Sequence, residues 1–132
     1  MTPVIETPSA AGIEEARAVA ERWLPAFLEG RRADEELYAD RVTTWHNIGE
    51  REAEIQRTPS RTRANDGGAD LRIVDVRLRV FDGGWVLQAT TVGTTAAGEP
   101  VRIPTCLVAT VRDGRIQRFE EYADSRAVDS LF

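Results

Sequence analysis

From Leu71 onward the chain has little choice but β-structure. Three runs rich in β-branched and apolar residues, Leu71–Phe81, Trp85–Thr95 and Val101–Arg112, are separated by short turns at Asp82-Gly83-Gly84 and around Ala97-Gly98. A fourth run, 115–124, follows Asp113-Gly114. An Asp-Gly pair is a strong hairpin signal because the second central position of the turn takes a positive φ, which costs glycine nothing. Runs joined this tightly pair antiparallel with their neighbours, so a four-stranded meander is predicted.

The first half reads differently. Ser9 can cap a helix whose apolar positions Ile13, Ala16, Ala20, Trp23 or Leu24, and Phe27 recur at helical spacing, with Gly30 as its stop. Pro25 lies inside that pattern and removes one backbone hydrogen bond, which predicts a kink. A short helix is expected over Asp34–Tyr38, a strand over Val42–Ile48 ended by Gly49, and a polar helix over Glu50–Arg57. Thr58–Asp70, with Pro59, Gly67 and Gly68, reads as a mobile loop. Helices first and a meander after make the class α+β, with the Val42 strand joining the sheet. Residues 1–8 are expected to form a loose arm, and 9–132 a single domain.

Seventeen basic residues against 22 acidic give a net charge of −5, and the arginines are scattered among acids, which argues against nucleic acid as a partner. Cys106 is the only cysteine, so an intrachain disulfide and a Cys-rich zinc site are excluded, and a reducing compartment fits. No segment approaches the roughly twenty apolar residues that span a bilayer, and no signal-peptide pattern is seen at the N-terminus; no membrane partner and a cytoplasmic location are the expectation.

Strand 115–124 carries the chemistry. A two-residue period puts Ile116, Arg118, Glu120, Tyr122 and Asp124 on one face, and Gln117, Phe119, Glu121 and Ala123 on the other. Glu121 is the exception on the apolar face, where a carboxylate must be hydrogen-bonded, paired or protonated if buried; at a sheet edge it is simply solvated. His46 is the only histidine and the one side chain whose unperturbed pKa suits proton transfer near neutrality. It can equally be a half-buried strand histidine with both nitrogens satisfied structurally. His46 shares a strand face with Val42, Thr44 and Ile48, while Trp45 points the other way and is expected to pack under a helix. Cys106 lacks a neighbouring base and reads as a small apolar wall residue. Trp23, Phe27, Phe81, Trp85 and Phe119 are core candidates, of which Trp23, Phe27 and Phe119 could also line a cavity. One histidine without clustered carboxylates, and no Gly-rich phosphate loop, predict no metal and no cofactor.

The element order, the stretch Leu37-Tyr-Ala-Asp-Arg-Val-Thr-Thr-Trp-His46 and the terminal Asp-Gly-Arg-Ile resemble the SnoaL-like branch of the nuclear transport factor 2-like superfamily over roughly residues 10–126. That group includes polyketide cyclases, ketosteroid isomerases and limonene-epoxide hydrolases. The resemblance implies a curved, mostly antiparallel sheet wrapped by N-terminal helices into a cone of the cystatin-like type, with an apolar cavity between sheet and first helix and a homodimer formed through the sheet. It places His46 where the isomerases keep their general-base aspartate, Trp23 near their oxyanion-donating tyrosine, and Thr105–Leu107 where they hold a protonated aspartic acid. Glu121-Tyr122-Ala123-Asp124 is similar to the Asp-Tyr-x-Asp pattern of the epoxide hydrolases, with Gln88 and Thr90 where those enzymes carry an Arg and a second Asp. The implied activity is a cofactor-free isomerase, cyclase or dehydratase acting on an apolar oxygenated small molecule. His46 would be the base, Glu121 its partner or the acid, and Trp23, Phe27, Thr44, Cys106 and Phe119 the pocket wall, with Tyr122 and Asp124 in secondary roles. The alternative is a non-catalytic ligand-binding or dimerisation module of the same fold.

Overall fold

The structure, a computed structural model, describes residues 2–129; Met1 of the expected arm and 130–132 of the expected domain lie outside them. In chain order the elements are α1 (Ala10–Glu29), β1 (Tyr38–His46), β2 (Arg51–Glu54), α2 (Ser60–Asp66), β3 (Asp70–Phe81), β4 (Gly84–Thr94), β5 (Pro100–Arg112), β6 (Arg115–Ala123) and α3 (Ser125–Asp129). The strands form one open, mixed sheet in the order β2-β1-β6-β5-β4-β3. The predicted meander is β3 to β6, antiparallel throughout. β1 joins it beside β6 in parallel, the only parallel pair in the sheet. The α+β class holds.

Helix α1 begins as its sequence requires. The Ser9 hydroxyl accepts from the Gly12 amide, while the Ser9 amide donates to Asp82 in the β3–β4 turn, so the helix start is tied to the meander. Gly30 closes the other end in the left-handed conformation at φ 72°, as a C-terminal glycine does. Pro25 sits within one continuous helix. The buried face of α1, with Ala16, Val19, Ala20, Trp23 and Ala26, lies on the sheet and defines its covered side.

Trp23 stacks on Phe27 at 4.9 Å between ring centroids and meets Trp85 at 5.1 Å and Phe119 at 5.6 Å. With Leu87, Ala109, Val111 and Ile116 these rings form the main core, filling the space between helix and sheet where the cavity was expected.

Several elements differ from the sequence reading. The predicted helix over Glu50–Arg57 is instead a turn and the short strand β2, paired antiparallel with the end of β1. Gly49 (φ 72°) and Glu50 (φ 46°) take successive left-handed conformations that reverse the chain, and all four β2 residues are exposed, so no apolar period marks the strand. The strand predicted at Val42–Ile48 runs from Tyr38 to His46, and the helix expected over Asp34–Tyr38 is one 3₁₀ turn, Glu35–Leu37. The loop predicted over Thr58–Asp70 contains α2, held to the end of α1: the Arg61 guanidinium donates to the Phe27 and Leu28 carbonyls and the Thr62 hydroxyl to that of Gly30. These contacts satisfy carbonyls that a helix end leaves open.

On β6 the two-residue period breaks. Val111 pairs with Ile116 but Thr110 pairs with Arg118, leaving Gln117 as a bulge. Ile116, expected on the face of Arg118, is therefore turned to the core with Phe119; both are buried.

Because Trp23 is 5% exposed and touches three other rings, Trp23→Ala is predicted to cost about 3–5 kcal/mol of stability. Urea unfolding followed by circular dichroism measures it, and a loss below about 1 kcal/mol would mean that the cluster is not the core.

Candidate functional site

Parallel pairing sets His46 directly beside Glu121, two residues along from Thr44 beside Phe119. Since Phe119 faces the helix-covered side, so do His46 and Glu121. Their side chains meet: Nε2 of the imidazole lies 3.3 Å from Oε1 of the carboxylate. Both are partly open to solvent, at 26% and 44% exposure.

The turn after β1 holds this pair. The Asn47 amide donates to the Glu121 carbonyl at 3.1 Å. The Asn47 side chain then imitates a strand residue: its Nδ2 donates to the Ala123 carbonyl and its oxygen accepts from the Ala123 amide, both at 3.0 Å. At the next residue the Ile48 amide donates to Nδ1 of His46 at 3.2 Å. The backbone thus occupies Nδ1, and Nε2 faces the Glu121 carboxylate.

Across the sheet the row containing the pair continues through Leu107, Leu87 and Leu78, and the neighbouring row runs Thr44, Phe119, Ala109, Trp85 and Val80. The ionisable pair therefore sits at one end of an apolar floor. Trp85 is fully buried there, and its indole Nε1 has no hydrogen-bond partner among the described residues, an arrangement rare in folded proteins.

The remaining predicted site residues divide between the two sides of the sheet. Trp23, Phe27 and Phe119 belong to the aromatic cluster, and the Thr44 hydroxyl donates to the Ala53 carbonyl of β2 at 3.2 Å. Cys106 pairs with Tyr122 while its neighbour Leu107 pairs with Glu121, so Cys106 points away from the His46–Glu121 pair and cannot wall the same space. The ring of Trp45, expected under a helix, packs against Tyr122 on that open side with centroids 5.3 Å apart. Asp124 accepts from the Arg126 and Ala127 amides and caps α3.

Among the surface concavities of the described residues, two lie on or beside this sheet. One of about 360 Å³ at the end of the sheet is lined by Asn47, Pro104, Cys106, Tyr122 and Asp124 among others. The other, about 570 Å³, is polar and lies beside β1, between Arg32, Glu35, Arg41 and Arg115. Neither takes in His46 or Glu121.

Solved structures share this architecture. The chain superposes on a nuclear transport factor 2-like protein from Burkholderia xenovorans LB400 with a TM-score of 0.63, at 11% identity over 91% of this chain and 98% of that one. A protein from Jannaschia sp. CCS1 assigned as a SnoaL-like polyketide cyclase gives 0.65, at 16% identity over 96% of each chain. The fold is that of the SnoaL-like, nuclear transport factor 2-like superfamily. The BvnE pinacolase from Penicillium brevicompactum is a further example, with a TM-score of 0.69, 13% identity and coverage of 94% and 92%. No protein-family model matches the sequence and no curated relative matches it. Among the described residues no helix is long and apolar enough to cross a membrane.

Sequence reasoning missed Asn47, Ile48 and the leucine row. A polar Asn closing a strand two residues before a glycine is a visible signal for a chain reversal, but which strand it clamps depends on the parallel pairing. Asn47→Ala removes two hydrogen bonds to Ala123 and is predicted to cost about 1–3 kcal/mol. The measurable sign is faster hydrogen exchange at the Ala123 amide, with exchange at core amides of β4 slowed or hastened only by the global change.

Proposed function

We propose that this protein is a cofactor-free enzyme that moves a proton on an apolar, oxygenated small molecule, with His46 and Glu121 as the transferring pair. The observation that carries the reading is the 3.3 Å contact between the two side chains at the end of an apolar floor. An imidazole and a carboxylate in contact are the parts of general acid–base catalysis, worth about 10²–10⁴-fold. Trp23, Phe27 and Phe119 then supply apolar walls, and the unpaired Trp85 N–H a donor for a ligand oxygen. The aromatic cluster would open on the side of half-buried Phe27 to admit the ligand. Relatives in fold named as a pinacolase and as a ketosteroid isomerase are in keeping with proton chemistry on such molecules.

The test needs no knowledge of the full reaction. In deuterated water, protein incubated with 2-tetralone and cyclohexanone is expected to speed deuterium uptake at the carbon beside the carbonyl, read by mass spectrometry. The double variant His46→Ala/Glu121→Gln should lose that acceleration. Uptake that never exceeds the buffer rate, or that survives in the double variant, contradicts the reading.

A second feature favours a homodimer through the sheet. On the open side, Trp45, Val108, Val86, Cys106 and Tyr122 lie between Glu52 and Glu120, both ion-paired with Arg118, toward β2 and Arg77 and Arg79 toward β3. A two-fold axis would set each acidic edge against the partner's basic edge. Tyr122, 45% exposed, sits within this patch, so Tyr122→Lys is predicted to shift sedimentation from dimer to monomer; a monomeric parent protein would contradict it.

A further inference from the structure

The buried residues of the covered side form two clusters. The main one lies under α1; the second gathers Leu71, Val101 and Ile103 with Ala64 of α2, Ala123 of β6 and Ala127 of α3. Along β5 the covered positions run from Val101 and Ile103 in the second cluster, through Thr105 and Leu107, to Ala109 in the first. Leu107 pairs with Glu121. The His46–Glu121 pair therefore faces the strip where the two clusters meet, with α1 packed on one and α2 and α3 on the other.

α2 is held in two unlike ways. At its C-terminal end the Asn65 side chain accepts from the Leu71 amide at 2.8 Å and donates to the Leu71 carbonyl at 3.0 Å, as a neighbouring strand would, and Ala64 packs on the second cluster. At its N-terminal end the ties are polar and run to the end of α1. Arg61, which donates to the Phe27 and Leu28 carbonyls, also stands 6.0 Å from the centre of the Phe27 ring, and the Thr62 hydroxyl donates to the Gly30 carbonyl. The approach is close enough that a Cβ at Gly30 would come within 2.8 Å of the Thr62 hydroxyl oxygen.

Close as it is, this end of α2 has little to keep it shut. No residue of α2 is buried, and an element with few buried apolar contacts opens locally at low cost in free energy. Burial pushes the Arg61 guanidinium below its ordinary value, a penalty relieved when the charge returns to water. The flanking chain permits the movement: residues 55–59 take neither helix nor strand, and Gly68, at φ 107°, follows the helix as a joint that needs glycine.

We propose that α2 is a hinged flap, pivoting at Asn65–Gly68 and latched to α1 by Arg61, which opens to admit an apolar ligand to the strip beside His46 and Glu121. This rests on the ligand-binding reading above and supplies its way in. Opening lifts the guanidinium from Phe27, the half-buried ring at the rim of the aromatic cluster. Binding then waits on the open state, and the flap recloses over the occupied site.

Arg61→Ala removes the latch and leaves the pivot and both clusters in place. Hydrogen exchange followed by nuclear magnetic resonance is expected to show the amides of residues 63–67 exchanging at least tenfold faster in the variant, with β4 amides unchanged. Equal acceleration in α2 and β4, or none in α2, overturns the flap. Stopped-flow quenching of tryptophan emission by 2-naphthol reads the gate itself. In the parent protein the observed rate is expected to level off with 2-naphthol concentration at the opening rate. In Arg61→Ala that plateau rises at least tenfold while Kd stays within threefold, because the latch holds the free and the occupied closed states alike. A rate that climbs linearly and equally in both proteins overturns the gate and leaves the ligand site standing. No quenching in either protein overturns the ligand-binding reading, and the gate with it.

Discussion

The structure depends on one parallel ladder. β1 and β6 come from opposite ends of the chain, and only their side-by-side pairing brings residue 46 next to residue 121. Every other strand contact is an antiparallel pair between neighbours in sequence, which the turns can direct locally. The parallel pair has no such turn and needs its own fastening. Asn47 provides it, extending the ladder past the end of β1 with a side chain that donates to and accepts from Ala123 as a strand backbone would. At the other end, the bulges at Gln117 and in β1 between Tyr38 and Thr43 let Ile116 turn inward beneath α1 while Thr44 and His46 still fall in step with Phe119 and Glu121.

From that ladder the division of labour between the two sides of the sheet follows. The covered side carries the aromatic cluster, the leucine row and the His46–Glu121 pair. The open side carries the valines, Cys106, Tyr122 and Trp45 between the Glu52–Arg118–Glu120 group and the arginines Arg77 and Arg79. Strand alternation permits this separation because a side chain moved by one residue changes sides. The position of Cys106, one residue before Leu107, illustrates the rule: a single step removes it from the space that Glu121 faces.

Much of the fold was legible because its signals are local. The meander announces itself through turn glycines, α1 through Ser9, Gly30 and its apolar stripe, and the approach of Glu121 to His46 was anticipated as a conditional pairing. What was not legible depends on tertiary contact. β2 has four exposed residues and no period, so nothing in Arg51–Glu54 distinguishes a strand from a polar helix until β1 supplies partners. α2 is anchored by Arg61 and Thr62 on carbonyls of a different helix. The bulge at Gln117 reverses the side of Ile116, and a strict alternation cannot reveal where an alternation breaks. The hydrogen bond from the Ile48 amide to Nδ1 of His46 was illegible for a related reason: it exists only once the chain has turned at Gly49.

The Asn47 turn sets the His46 imidazole against Glu121 at the edge of an apolar floor. Neutron diffraction from a deuterium-exchanged crystal tests it most directly, since it sees the ring's proton and the surrounding amides together. The account predicts deuterium on Nε2 pointing at Oε1, none on Nδ1, and the Ile48 amide directed at Nδ1. A ring rotated away from Glu121, or one bearing its deuterium on Nδ1, would contradict it.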